Sequence, residues 1–211
     1  VTPIVLTIIK PGTGATVNGR PVLFDAPPEA RGGHVWGEFA PILRALGLAV
    51  SWSELSGRMI AVPCRVVPPL DGELVVTSAY GPRARGSKTF HSGVDLKAAM
   101  ETPVYAIADG KVVWVGYDAG GFGRYVLLDH GEFRSIYAHL SSPTAAINLL
   151  AGERVGFSGG LGPGAGDSSG PHLHFGVYVP DPGTPLLVDR GGQQVFNPAS
   201  SVDPMQFLKG V

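Results

Sequence analysis

A chain of 211 residues that contains 31 glycines and 19 prolines cannot be built mainly from long helices. Glycine gives up the most backbone entropy in a helix and proline breaks one, whereas both suit turns. The pattern predicts short strands joined by many loops, and it excludes a helical bundle. Apolar runs of about four to eight residues lie between the turns, well short of the roughly 18 needed to span a membrane. The length allows one good core, or one core with a small second module. A formal net charge of −1 gives no polycation signature, so nucleic acid finds no electrostatic partner in the composition.

Val1 stands where an initiator methionine would, as in a processed product or a trimmed chain. No secretory leader is readable, because the first apolar run, Val5 to Ile9, is too short and has no basic lead. Cys64 is the one cysteine, so no intrachain disulfide marks the compartment, and it reads as inert rather than nucleophilic.

The chain divides at PCRVVPPLDG (63–72), where three prolines precede an Asp-Gly turn signal. This gives a small module over residues 1–66 and a larger unit over 67–211. In the small module, Asn18-Gly19 between Ala15–Val17 and Val22–Phe24 reads as a hairpin turn. Trp36, Phe39, Leu43 and Leu46 recur at helical spacing, with Gly47 as a cap and Pro41 as a start or kink. Alternation at Leu48, Val50 and Trp52, then Met59–Val62, predicts two further strands. The segments VNGRPVLFDAPP (17–28), ALGLAVSW (45–52) and SGRMIAV (56–62) resemble the copper amine oxidase N-terminal-like domain over about residues 13–64. His34 is the only histidine there and reads as a surface turn residue, so no copper chemistry follows. The module is expected to act as a spacer, or to dock a protein of the cell envelope.

The larger unit is almost wholly strand and turn. Val104–Ala108, Asp109-Gly110 and Lys111–Val115 read as one hairpin, and Arg124–Leu128, Asp129–Gly131 and Phe133–Ala138 as another. Arg154–Ser158 and His172–Val179 supply further strands, and GGLGPGAGDSSGP (159–171) is a natural groove wall. The expected fold is mainly β: a curved antiparallel sheet with a loop-lined groove, preceded by a small α+β module.

Five of the six histidines fall in this unit, four of them within HSGVD (91–95), YAHL (137–140) and PHLHF (171–175). On a strand, His172 and His174 share one face, roughly 6.6 Å apart at Cα, while Leu173 and Phe175 enter the core. Fully extended, His91 and Asp95 would lie about 13 Å apart, whereas two donors on one zinc ion lie within roughly 4 Å. The segment must therefore bend, and Ser92-Gly93 is where glycine permits it. His91, Asp95 and one histidine of the HLH pair make a set of two nitrogens and one oxygen. Three protein ligands leave a fourth tetrahedral position open, the catalytic arrangement. No HExxH is present to supply a glutamate base, so His139 and the other HLH histidine are the available substitutes. His130, in the DHG turn, reads as a turn residue, Asp129 as its cap and Asp109 as the start of a hairpin.

TSAYGPR (77–83), HSGVDLKA (91–98), TPVYAIADGKV (102–112), YVLLDHG (125–131), YAHLSS (137–142), AGERVG (151–156) and SSGPHLHFGV (168–177) together resemble the lysostaphin/LytM-type zinc metalloendopeptidases. The resemblance covers about residues 74–180. It implies one zinc ion on His91, Asp95 and His174, His139 and His172 as catalytic histidines, and peptidoglycan as substrate outside the cytoplasm. It departs from the pattern at Gly176, where an acidic residue commonly follows PHLHF. It departs again at RARGSKTF (83–90), where relatives that cut glycine bridges carry a tyrosine. The alternative is a zinc-containing envelope scaffold that activates other hydrolases without turnover.

Overall fold

The computed structural model describes residues 66–85, 88–131, 133–179 and 197–208, together with the backbone of strands on either side of them. In the first module, β1 (Leu6–Lys10), β2 (Gly14–Val17) and β3 (Arg20–Val22) form an antiparallel sheet. Two antiparallel pairs follow: β4 (Glu29–Arg31) with β5 (His34–Trp36), and β6 (Leu48–Ser53) with β7 (Arg58–Pro63). The β6–β7 pair matches the expected strands, and β2 pairs β3 across the expected Asn18-Gly19 turn, although β3 shares only Val22 with the expected Val22–Phe24 and the rest of that strand lies outside the described residues. Trp36 lies in β5 instead of opening a helix, and the rest of that expected helix lies outside the described residues.

The larger unit continues with β8 (Val76–Ser78), β9 (Gly81–Arg85), β10 (Lys88–His91), β11 (Val94–Leu96) and β12 (Pro103–Tyr105). Then come β13 (Gly110–Asp118), β14 (Gly123–Asp129), β15 (Arg134–Ala138), β16 (Leu140–Pro143), β17 (Asn148–Leu149) and β18 (Arg154–Ser158). The chain closes with β19 (Leu173–Tyr178), β20 (Leu187–Arg190), β21 (Gln193–Phe196), β22 (Ser201–Val202) and one helical turn, α1 (Pro204–Phe207). An eight-stranded sheet runs β17-β13-β14-β15-β19-β11-β8, with β22 also pairing β19, and a three-stranded sheet runs β12-β18-β16. The expected antiparallel, mainly β architecture is therefore what forms.

The core lies between the two sheets. Val126, Leu128, Leu173, Phe175 and Val177 on the large sheet pack with Val104, Ile107 and Val155. Each such side chain contributes about 1.5–3 kcal/mol of burial. Alternation along β19 sends Leu173, Phe175 and Val177 into this core and His174, Gly176 and Tyr178 to the opposite face.

One expectation fails. Asp109-Gly110 does not close a hairpin, since β12 pairs β18 and β13 pairs β14. Ala106, Ile107 and Ala108 between them are buried, and the chain crosses from one sheet to the other there. Tertiary partners fix the crossing. Ile107 N donates to Tyr137 Oη at 2.9 Å, and Asp109 Oδ1 accepts from Ala151 N at 2.8 Å. By contrast, Asp129 caps its turn as expected, accepting from Gly131 N at 2.9 Å.

Candidate metal centre

Strand register builds the site. Asp95 on β11 is the direct partner of His174 on β19, and Ala138 on β15 is the partner of His174 on its other side. His139, the next residue, therefore leaves the sheet beside His174. His91 ends β10, and the bend at Ser92-Gly93 returns its ring to Asp95. Gly93 is not needed for an unusual φ, as the sequence reading supposed, but for space. A Cβ there would lie 2.5 Å from Phe175 O and 2.9 Å from His174 Nε2.

Three donor atoms converge. His91 Nε2 lies 3.0 Å from His174 Nδ1 and 3.2 Å from Asp95 Oδ1, and His174 Nδ1 lies 3.0 Å from Asp95 Oδ1. With both rings neutral, protons cannot satisfy this triangle. His91 Nδ1 is 2.8 Å from Ala79 O, which can only accept, so Nδ1 holds the proton and Nε2 presents a lone pair. A carboxylate oxygen then faces that lone pair, and a neutral His174 can place one proton at most between them. A cation resolves the conflict. Four ligands at the zinc distance of about 2.0–2.1 Å stand about 3.3 Å apart in a tetrahedron, close to these edges. His91, Asp95 and His174 are all buried and together could hold a metal ion.

Electrostatics agree with that donor set. Burial alone would raise the Asp95 carboxyl, but the neighbouring His174 and His91 rings outweigh it and hold the group far below the ordinary carboxylate range. Burial pushes His174 down, against its hydrogen bond to Asp95. Burial, helped by repulsion from His174 and His172, lowers His139 to about 4. Neutral imidazoles and an ionised carboxylate are what metal ligation requires.

His139 and His172 stand beside the triangle, with ring centroids 4.7 Å apart. His172 Nε2 is 3.6 Å from Asp95 Oδ1, so both HLH histidines address the same carboxylate, as strand alternation predicts. His139 Nδ1 lies 2.7 Å from Ala165 O, and His172 Nδ1 lies 2.8 Å from Gly170 O. Each carbonyl draws a proton onto Nδ1, so that in the neutral tautomer Nε2 carries the lone pair. The structure thus brings together all five histidine and aspartate positions singled out from the sequence. His130 stays apart, between Asp109 O at 2.8 Å and Ser135 Oγ at 2.7 Å, as a turn residue.

Sequence reasoning missed the supporting groups. Ala79 O, Ala165 O and Gly170 O are backbone carbonyls, which carry no residue-type signal. Phe122 was also missed: its ring lies 5.3 Å from His174 and its carbonyl accepts from His139 N at 2.8 Å. An aromatic residue between Gly121 and Gly123 was the available clue.

Residues 89–194 match the family model described as Peptidase family M23. The chain belongs to peptidase family M23. It is 42% identical over 118 residues to an uncharacterised metalloprotease of Haemophilus influenzae, covering 53% of this chain and 24% of that protein. It is 41% identical over 91 residues to the DD-carboxypeptidase/endopeptidase Mpg of Neisseria meningitidis, covering 42% of this chain and 20% of that protein. The chain therefore spans about a quarter or less of the length of these curated relatives. The catalytic domain of the antimicrobial peptidase lysostaphin from Staphylococcus simulans superposes with a TM-score of 0.52 at 33% identity, covering 64% of this chain and 92% of that one. The M23 match begins at residue 89, and the comparisons lend no support to the copper amine oxidase-like resemblance expected over residues 13–64. Much of that segment, including all of 23–28 and 37–47, lies outside the described residues.

Gly176, a departure from the expected motif, is closed over by its neighbours. A Cβ there would lie 2.9 Å from Ile136 Cγ2 and 3.1 Å from Tyr178 Cε2, and Tyr178 Oη is 3.0 Å from Ser92 Oγ. The buried side chains of Ile136 and Tyr178 therefore crowd the place where the motif commonly carries an acid.

Proposed function

We propose that this M23 domain is a zinc-dependent endopeptidase that hydrolyses peptide bonds in peptidoglycan stems or crosslinks, outside the cytoplasm. The observation that carries the reading is the buried His91–Asp95–His174 triangle, whose lone pairs need a cation. In this reading those three residues hold one zinc ion. Such an ion supplies Lewis acidity and favours ionisation of water at neutral pH.

The chain's own groups manage the protons. His139 and His172 each keep a proton on Nδ1 against a loop carbonyl, so each Nε2 is free to accept one from the attacking water. The pair then returns a proton to the leaving amine, while Asp95 stays ionised within the triangle. A non-catalytic zinc scaffold would need only three ligands, and the second pair of oriented imidazoles favours turnover.

Names among the relatives support the chemistry. They include a DD-carboxypeptidase/endopeptidase, a glycyl-glycine endopeptidase of Staphylococcus capitis and a cell division protein of Caulobacter vibrioides. Among the described residues no helix is long and apolar enough to cross a membrane. Mass spectrometry of muropeptides released from purified sacculi, with and without chelator, tests the proposal. Chelator-sensitive loss of crosslinked species is the expected result, and unchanged muropeptides under zinc-replete conditions would overturn it.

A further inference from the structure

We infer that Arg124 is a positioning residue that sets the His139 tautomer by holding the Pro163–Ala165 stretch of the glycine-rich loop in place; this rests on the catalytic role proposed for His139. Two loops meet at that histidine. Its main-chain N–H donates to Phe122 O at 2.8 Å, and its ring donates to Ala165 O at 2.7 Å. The residue also sits at φ 58°, a left-handed conformation uncommon for a side-chain-bearing residue, so these bonds hold it against a backbone preference.

The two loops are fastened to each other. Arg124 N donates to Gly164 O, and Asp167 N donates to Gly121 O, both at 2.8 Å. Arg124 Nη1 then donates to Pro163 O at 2.9 Å and to Ser141 O at 3.3 Å, which ties β14 to the glycine-rich loop and to β16 just after His139. The planar guanidinium lies on Gly164, where a Cβ would collide with it. Cβ atoms at Gly123 and Gly166 would likewise strike the opposite backbone, and all three glycines have positive φ. The loops dock backbone to backbone, leaving Ala165 O aimed at the ring. A lysine keeps the charge but has no planar guanidinium to lie on Gly164 while one nitrogen reaches both carbonyls in a fixed direction.

His172 supplies an internal control. Its Nδ1 is held by Gly170 O at 2.8 Å, with Ser168 Oγ at 3.4 Å, and Ser168 Oγ fastens this end of the loop by donating to Gly160 O and Gly170 O rather than through Arg124. Loss of the guanidinium should therefore disturb one histidine and spare the other. A merely structural role would disturb both or neither.

The test uses the zinc-loaded full chain with Arg124→Gln and Arg124→Lys, read by long-range proton–nitrogen NMR of the histidine rings. The expected result is a mixed His139 tautomer in both variants, an unchanged His172 tautomer and full zinc content. With muropeptides, kcat should fall at least about 10-fold with KM nearly unchanged, the scale of a small misplacement of a reacting group. In a His139→Ala background the Arg124→Gln change should cost nothing further. A wild-type His139 tautomer in both variants, or an undiminished kcat loss in the His139→Ala background, would overturn the inference. If Arg124→Gln does not fold, Arg124→Lys carries the same readouts. Should the wild-type chain cleave no muropeptide, the proposed function fails, while the tautomer measurement still decides the role of Arg124.

Discussion

Asp95 and His174 are register partners on neighbouring antiparallel strands, and their side chains meet at 3.0 Å between Oδ1 and Nδ1. The pairing of β11 with β19 thus fixes two of the three converging donors before any loop contributes. His91 is the one brought by a bend. This separates the five site residues into a group expected to hold metal and a pair expected to move protons.

Replacement of His91, Asp95 or His174 by Ala should abolish stoichiometric zinc binding, measured by elemental analysis of the purified chain. His139→Ala and His172→Ala should keep the zinc and the fold. They should lose activity by about 10²–10⁴-fold, the usual share of a general acid or base. Full zinc content in His174→Ala would sink the ligand assignment, and near-normal turnover in both of the other variants would favour a scaffold.

Gly93→Ala should behave like damage to a ligand although residue 93 ligates nothing. Its Cβ would press on Phe175 O and on the buried His174 ring, both parts of packed β19 that cannot retreat. Zinc affinity, measured by competition with a coloured chelator, should fall by at least about 10-fold, the scale seen when groups supporting metal ligands are disturbed. Wild-type affinity would mean that β19 shifts freely at this point.

Much of this was legible because the chemistry sits on regular backbone. PHLHF obeys strand alternation, and HSGVD had to bend because its ends could not otherwise share an ion. Two things escaped. The Asp109-Gly110 turn signal was local, and burial of Ala106–Ala108 between two sheets overrode it. The carbonyls that orient His139 and His172 belong to Ala165 and Gly170, whose side chains say nothing of the task. The glycine-rich loop read as a wall, and its composition could not reveal where its carbonyls point.

Acid should destabilise the metal-free protein in a defined window. Burial, with repulsion from His174 and His172, lowers His139 from its ordinary value of 6.5 to about 4 in the folded state. The unfolded chain therefore binds the proton first. The stability is present above pH 6.5 and is lost as pH falls through 6.5 toward 4. The scale is on the order of 3 kcal/mol for a shift of this size. Urea unfolding at pH 7 and pH 4.5 should show a smaller drop in His139→Gln than in the wild-type chain. Equal drops would place the acid sensitivity elsewhere.

The boundary between modules can be tested by truncation, and the structure says where to cut. Val67 N donates to Ile107 O at 2.7 Å, Tyr105 N donates to Pro69 O at 2.9 Å, and Leu70 is buried in the core. A fragment starting inside the proline-rich junction at Pro69 would lose the first of these bonds, so the cut belongs before Val66. Everything in the donor triangle and both neighbouring histidines lies beyond that point. Strand β6 nevertheless runs beside α1 and β22, and β22 pairs β19, the strand that carries His174. A fragment of residues 66–211 should therefore fold and bind zinc with a lowered melting temperature, measured by calorimetry with elemental analysis. Retained muropeptide cleavage would support the spacer or docking role expected of the first module. A folded, zinc-bound but inactive fragment would assign that module to substrate binding, and a more active one would make it inhibitory.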